Sequence, residues 1–262
     1  MESLLGIPAN EIDIFILVFV RMTGLFVVAP IFGRRNIPAY MKIGFSFFLA
    51  LILVTTVSLE RPVFQDNMYQ YAVLVVREFL VGIGLGYVAY LVFTAIYIAG
   101  EIIDMQIGFG VVNVMDPMSN IQVPITSNLY FILSMLVFLM VNGHHLLIKA
   151  LFDSYTYVPL GTAVFRNALI SQLLNLFTDM FFTGFKIAAP IVAAALITDI
   201  ALGAISRMVP QLNVFVVGMP FKILVGIIIM VVTIPMFMLV LQGIFDSMSG
   251  NTTAFLKEIG PK

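Results

Sequence analysis

Two apolar runs near the carboxy-terminal end, Ser171–Ser206 and Leu212–Phe245, are 36 and 34 residues long and are separated only by the turn Arg207-Met208-Val209-Pro210-Gln211-Leu212-Asn213. As straight helices rising ~1.5 Å per residue they would reach roughly 50 Å, well beyond a hydrocarbon core of ~30 Å. Each run also holds a lysine with a proline close by: Lys186 with Pro190, and Lys222 with Pro220. Such segments predict membrane helices that are bent and packed against protein, rather than plain lipid-facing rods.

The rest of the chain agrees. Hydrophobic residues make up 61% of the 262 and charged residues 10%, where soluble domains carry about 25% charged residues. The mean hydropathy of +1.09 excludes a water-soluble fold, and a net charge of −1 offers no electrostatic footprint for nucleic acid. The absence of cysteine excludes disulfides, thiolate chemistry and Cys-based metal sites. No Lys or Arg precedes the first apolar run, so a cleavable signal peptide is not expected there.

Six apolar stretches emerge: Ile12–Phe32, Tyr40–Leu59, Tyr71–Gly100, Ile125–Ile148, Ser171–Ser206 and Leu212–Phe245. Each exceeds the ~18 residues that mark a candidate spanning helix. Gly33 to Pro38, Glu60 to Asn67, and Glu101 to Pro124 read as loops. Asn142-Gly143 reads as a helix stop, and Met248–Lys262 as a short polar tail. Six crossings would place five basic residues on one side and four on the other, so the positive-inside rule assigns no orientation.

Ionisable residues inside these runs are costly, ~3 kcal/mol each at the bilayer centre on insertion scales. Those with apolar surroundings are Arg21, Arg77, Glu78, Asp179, Lys186, Asp199 and Lys222. Two readings remain open, an ion or proton pathway and charge pairing within or between subunits. Their spread over four segments supports pairing. Asp179 and Lys186 are seven apart and so share a helical face. His144 and His145, as neighbours on a helix, are expected to point in different directions with a structural role. No zinc-protease motif, nucleophile elbow or P-loop occurs, so neither an enzyme nor a cofactor is expected.

The segment Gln106-Ile107-Gly108-Phe109-Gly110-Val111-Val112-Asn113-Val114-Met115-Asp116-Pro117 is apolar, glycine-bearing and too irregular to continue a flanking helix. Irregular backbone at membrane depth is tolerated where protein or a cavity surrounds it. It reads as a re-entrant packing element or as a plug.

Arg21 with Gly24 and Pro30, the stretch Gln106–Pro117, Asn142-Gly143-His144, and Arg207 through Lys222 occur in an order and spacing that resembles the FliR family of flagellar export-gate proteins, whose virulence counterpart is the SctT family. The hairpin from Lys186 to Lys222 also resembles the small two-helix FliQ partner. The doubled histidine and the absence of tryptophan depart from relatives without touching these motifs, and the chain is not expected to be a fusion to the FlhB-type switch protein. The resemblance implies an all-α membrane protein of kinked helical hairpins, with a FliP-like front (1–167) and a FliQ-like carboxy-terminal hairpin (168–262). It implies a pore-forming part of the type III export gate in the bacterial inner membrane, at the flagellar basal body. FliP- and FliQ-type subunits, the FlhB-type protein and an FlhA-type export protein are the implied partners, and unfolded flagellar proteins the cargo. Gln106–Pro117 would lie across the pore, and Arg207, Pro210, Gln211 and Asn213 at its cytoplasmic entrance. A polytopic secondary transporter or ion channel using the embedded charges is the alternative. A transporter predicts inverted repeats, and no convincing internal repeat is present.

Overall fold

The computed structural model describes residues 12–33, 36–57, 59, 68–109, 124–211 and 213–261. Among these residues the chain forms seven α-helices: α1 Ile12–Val28, α2 Ala39–Thr56, α3 Met68–Ile107, α4 Ile125–Met140, α5 Gly143–Tyr157, α6 Asn167–Met208 and α7 Val214–Ile259. Local chemistry sets several of these ends. Proline disfavours helical backbone in the residue before it, and α1 stops just before Ala29-Pro30. The starts of α2 and α4 follow Pro38 and Pro124, where no helical N–H is lost. After α3 the chain leaves through Gly108 at φ 105°, a left-handed conformation that favours glycine at a helix end.

Four helices are long and apolar enough to cross a membrane: α2, α3, α6 and most of α7, with the broken pair α4–α5 as a fifth span if counted as one. The six crossings expected from sequence are therefore reduced among the described residues. Helix α1 has 17 residues, because Pro30 cuts the first apolar run short. The run Ile125–Ile148 is split where Asn142 adopts φ 56°, a left-handed conformation that asparagine tolerates better than most residues.

Two further expectations are corrected. Glu101 to Ile107 is helical, so Gln106 belongs to α3 and not to a loop. Ile103 and Ile107 are fully buried, and their four-residue spacing carries the helix past the polar Glu101 and Asp104. The stretch from Met248 to Ile259 is likewise helix and not a tail. Met248, Thr252, Phe255, Leu256 and Ile259 are buried at spacings of three and four.

The chain folds into two compact units that interleave in sequence. The first comprises residues 1–91, 142–176 and 246–262, and the second 92–141 and 177–245. In the first unit, α1 and α3 approach backbone to backbone. A Cβ on Gly24 would lie 2.6 Å from the Phe79 carbonyl oxygen, and one on Gly82 would overlap the Arg21 carbonyl. Phe26, Phe32 and Phe45 pack α1 against α2 with ring centroids 4.8 to 5.8 Å apart. The Phe255 ring of α7 lies over Gly84 of α3 and fills the space a side chain would take.

The second unit contains the later half of α3, α4, and the neighbouring stretches of α6 and α7. Gly100 admits the backbone of Ser127, whose Oγ donates to the Tyr97 carbonyl at 3.0 Å. Gly184 of α6 lies against the Ala95 carbonyl. Tyr130 stacks on Phe237 at 4.3 Å, and Phe93, Phe138 and Phe245 form a further aromatic cluster. Small residues that let helices approach closely are the usual device where the surrounding solvent is itself apolar.

Helix α3 is the most buried of the four candidate spans. Of its most apolar window 56% is buried, against 17% for α2 and α7 and 28% for α6. The outer helices present continuous apolar faces, among them Phe182, Phe185, Ile197, Val232 and Leu239. With 42 and 46 residues, α6 and α7 would extend ~63 and ~69 Å if straight.

Candidate functional site

The deepest polar feature is in the first unit. Arg21 of α1 and Glu78 of α3 are both completely buried and pair at 2.5 Å between Nε and Oε2. The other two guanidinium nitrogens donate as well: Nη1 to Ser154 Oγ and Nη2 to the Val158 carbonyl, each at 3.0 Å. The Tyr155 ring sits 4.2 Å from the guanidinium carbon, a cation–π distance. The second Glu78 oxygen accepts the Gly161 N–H at 2.9 Å. The cluster joins α1, α3, α5 and the segment after α5. Each guanidinium nitrogen and both Glu78 oxygens have a partner, so the cluster ties these segments together. Sequence reasoning found Arg21 and Glu78 but missed Ser154, Tyr155, Val158 and Gly161, which are far away in the chain and unremarkable in composition.

Two others of the seven embedded charges meet in the other unit. Lys222 Nζ of α7 lies 2.7 Å from Asp199 Oδ2 of α6, and this partly exposed bridge ties the hairpin near its turn. Arg77 and Asp179 are exposed. Although Asp179 and Lys186 lie two turns apart on α6, no ion pair joins them among the described residues. Lys186 instead lines a pocket of about 390 Å³ with Tyr130, Thr183, Pro190, Thr233 and Phe237, among others.

Of the plug candidates, Gln106 lies in the last turn of α3, and Gly108 and Phe109 follow that helix as a half-buried turn. Gly110, Val111, Val112, Asn113, Val114, Met115, Asp116 and Pro117 lie outside the described residues. The two borders of the segment are nevertheless held together. Asp104 of α3 accepts the Thr126 backbone N–H on both carboxylate oxygens, at 3.0 and 3.1 Å. An anion at the first turn of α4 also suits the helix dipole. Sequence reasoning missed Asp104 because it assigned Glu101–Pro124 to a loop, although a carboxylate two residues before Gln106 was the available signal.

The expected entrance turn is present between α6 and α7. Arg207 lies in the last turn of α6, where a cation complements the helix dipole, and Pro210 and Gln211 are exposed. Asn213 is also exposed, but its Oδ1 accepts the Val216 N–H at 3.4 Å and its carbonyl accepts those of Val216 and Val217. It therefore begins α7 as well as facing outward. The histidines depart from expectation. Their rings do not diverge but lie 4.2 Å apart at 36°, in the first turn after the left-handed Asn142, where regular helical side-chain directions are not yet established. His144 Nδ1 is buried without a hydrogen-bond partner.

Comparison with known proteins places this arrangement. The family model for bacterial export proteins, family 1, matches residues 12–248. The flagellar biosynthetic protein FliR of Bacillus subtilis (strain 168) is 39% identical over 235 residues, covering 88% of this chain and 90% of the relative. FliR of Escherichia coli (strain K12) is 31% identical over 82% of each chain, and FliR of Aquifex aeolicus (strain VF5) 28% identical over 88% of this chain and 89% of the relative. The family match runs from α1 into α7 and takes in both the Arg21–Glu78 cluster and the Asp199–Lys222 hairpin. By the extent of that agreement, the chain belongs to the FliR family and is a membrane component of the flagellar protein export gate.

Proposed function

We propose that this chain is a pore-forming subunit of the gate in the bacterial inner membrane, assembling with FliP- and FliQ-type subunits to pass unfolded flagellar proteins. The observation that carries this reading is the surface of α6 and α7. Both helices exceed a bilayer in length and expose apolar side chains along it, and α6 carries the exposed Asp179 and Lys186 among them. Lipid alone is a poor environment for such charges, whereas neighbouring protein helices can cover the apolar area and pair the charges. The antiparallel α6–α7 pair tied by Lys222 and Asp199 supports a FliQ-like hairpin in residues 168–262 behind a FliP-like front in 1–167. Arg207, Pro210, Gln211 and Asn213 form an exposed tip suited to the FlhB-type switch protein, with an FlhA-type protein completing the apparatus.

The role is that of a structural conduit and not a catalyst. In this reading Gln106–Pro117 closes the pore at rest. Gly108 and Gly110 supply backbone freedom, Phe109, Val111, Val112, Val114 and Met115 exclude water, and Asp104 holds the start of the segment to α4. Co-expression with FliP- and FliQ-type subunits is the test of assembly. The expected result is a higher detergent-stable yield and a co-purifying complex, and a stable monomer that never associates would sink the reading. The test of closure is deletion of Gly110–Met115 in the complete complex. Raised ion conductance with normal assembly is expected, and wild-type permeability would remove the segment from the closing role.

A further inference from the structure

Within the second unit, helix α3 carries a polar row on a side that its neighbours leave accessible. Phe93, Ala95, Ile96, Ala99, Ile103 and Ile107 are buried. Gly100 faces the backbone of Ser127, and Asp104 holds the Thr126 N–H. Between Thr94 and Met105 the accessible residues are Thr94, Tyr97, Ile98, Glu101 and Ile102, all half-buried, and Met105, 75% exposed. Thr94, Tyr97, Glu101 and Met105 follow one another at spacings of three, four and four, so they form a single row along the helix. The exposed faces of α6 and α7 in the same unit carry Phe182, Phe185, Val232 and Leu239 instead.

The chemistry of the row decides what lies against it. Among the described residues no cation is in ion-pair reach of Glu101. A carboxylate facing lipid or an apolar helix without a partner is costly, and a tyrosine hydroxyl out of water normally finds a hydrogen-bond partner. Water satisfies both, so the row marks a wet face on an otherwise apolar helix. Glu101 stands five residues before Gln106, roughly 7 Å along the axis, where the segment proposed to close the pore begins. A wet face that runs up to the closing point belongs to the conduit.

We propose that the Thr94–Tyr97–Glu101 face of α3 lines the conduit and is the surface along which an unfolded cargo chain passes. An unfolded chain brings backbone N–H and C=O groups and a changing series of side chains. Hydroxyls donate as well as accept, so Thr94 and Tyr97 suit either backbone group. The Tyr97 ring and Met105 offer adaptable apolar contact, and the Glu101 carboxylate keeps the row hydrated. None of these contacts selects a sequence, and single hydrogen bonds exchanged with water are too weak to hold a chain in passage. The inference rests on the reading of the chain as a subunit of a protein conduit and names the surface that touches the cargo.

The test uses cells carrying the complete export apparatus and a flagellar cargo fused to a tightly folded domain that stalls in the gate. The photoreactive residue p-benzoylphenylalanine is placed at Tyr97 or at Met105 of the tagged chain, and at Phe185 of α6 as the reference. Irradiation should join the tagged chain to the stalled cargo from both α3 positions and not from Phe185. The adduct should vanish when the cargo is left out. Should the probe at Tyr97 block assembly, Met105 carries the test, since it is largely exposed. Adducts with a subunit or a phospholipid alone, no cargo adduct from an α3 position in a complex that retains the cargo, or an equal adduct from Phe185 would each overturn the proposal. If the stalled cargo does not co-purify with the tagged chain at all, the conduit reading fails, and the proposal with it.

Discussion

Asp104 and Thr126 are 22 residues apart in sequence, yet one carboxylate holds one backbone N–H through both of its oxygens, at 3.0 and 3.1 Å. Both partners are buried, so an amide left without this acceptor would also be cut off from water. Asp104→Ala should cost about 1–3 kcal/mol, the range for a buried unsatisfied donor. Asp104→Asn should cost less, since an acceptor remains and only the charge at the start of α4 is lost. Limited proteolysis between residues 108 and 124 in the detergent-solubilised complex is the measurement, with faster cleavage expected for the alanine variant.

The Arg21 cluster should tolerate removal of one member poorly. Arg21→Ala or Glu78→Ala leaves the other charge buried alone, a situation that typically costs 3–5 kcal/mol. Arg21→Lys should also be damaging, because an ammonium lacks the planar fork that reaches Glu78, Ser154 and Val158 together. The double variant Arg21→Met with Glu78→Met should be more stable than either single methionine variant. Thermal unfolding of the purified complex separates these outcomes.

Two glycines of similar appearance in sequence should behave in opposite ways. Gly82→Ala drives a methyl group into the Arg21 carbonyl, whereas a Cβ on Gly44 meets nothing within 4 Å. Overpacking of the first kind costs about 1–3 kcal/mol, while Gly44→Ala should be neutral or gain up to ~1 kcal/mol from helix propensity. The comparison can be read from complex yield and melting temperature.

At the α6–α7 turn, Arg207→Ala with Gln211→Ala should leave the complex assembled and weaken crosslinking to the FlhB-type partner. Asn213→Ala is a different experiment. It also removes the side-chain acceptor for Val216 N–H and should loosen the start of α7 by ~1 kcal/mol. Unchanged crosslinking in the double variant would take the turn out of that interface.

Much of this organisation was legible in the sequence because long apolar runs and prolines act locally. The over-long last two runs, the turn between them and the break at Asn142 all follow from composition over short windows. The misread places share another cause. Glu101 and Asp104 look like loop chemistry, and Met248–Lys262 looks like a polar tail, until Ile103, Ile107, Phe255 and Ile259 find partners that no local window contains. The partners of Arg21 were hidden for the same reason, being 57, 133 and 137 residues away. The spacing of Asp179 and Lys186 correctly placed two charges on one face, but sharing a face did not make them a pair.

Phe255 over Gly84 has a consequence for biosynthesis. Residues up to 91 and from 246 onward belong to the same compact unit, so the slot at Gly84 exists as nascent chain long before the ring that fills it. At translation rates of roughly 5–20 residues per second, the 154 residues between positions 91 and 246 impose a delay of roughly 8–30 s. The earliest part of the protein to enter the membrane is thus among the last to be completed. A polypeptide released before residue 255 would present an open apolar slot on α3, the kind of surface by which quality-control proteases recognise an unfinished chain.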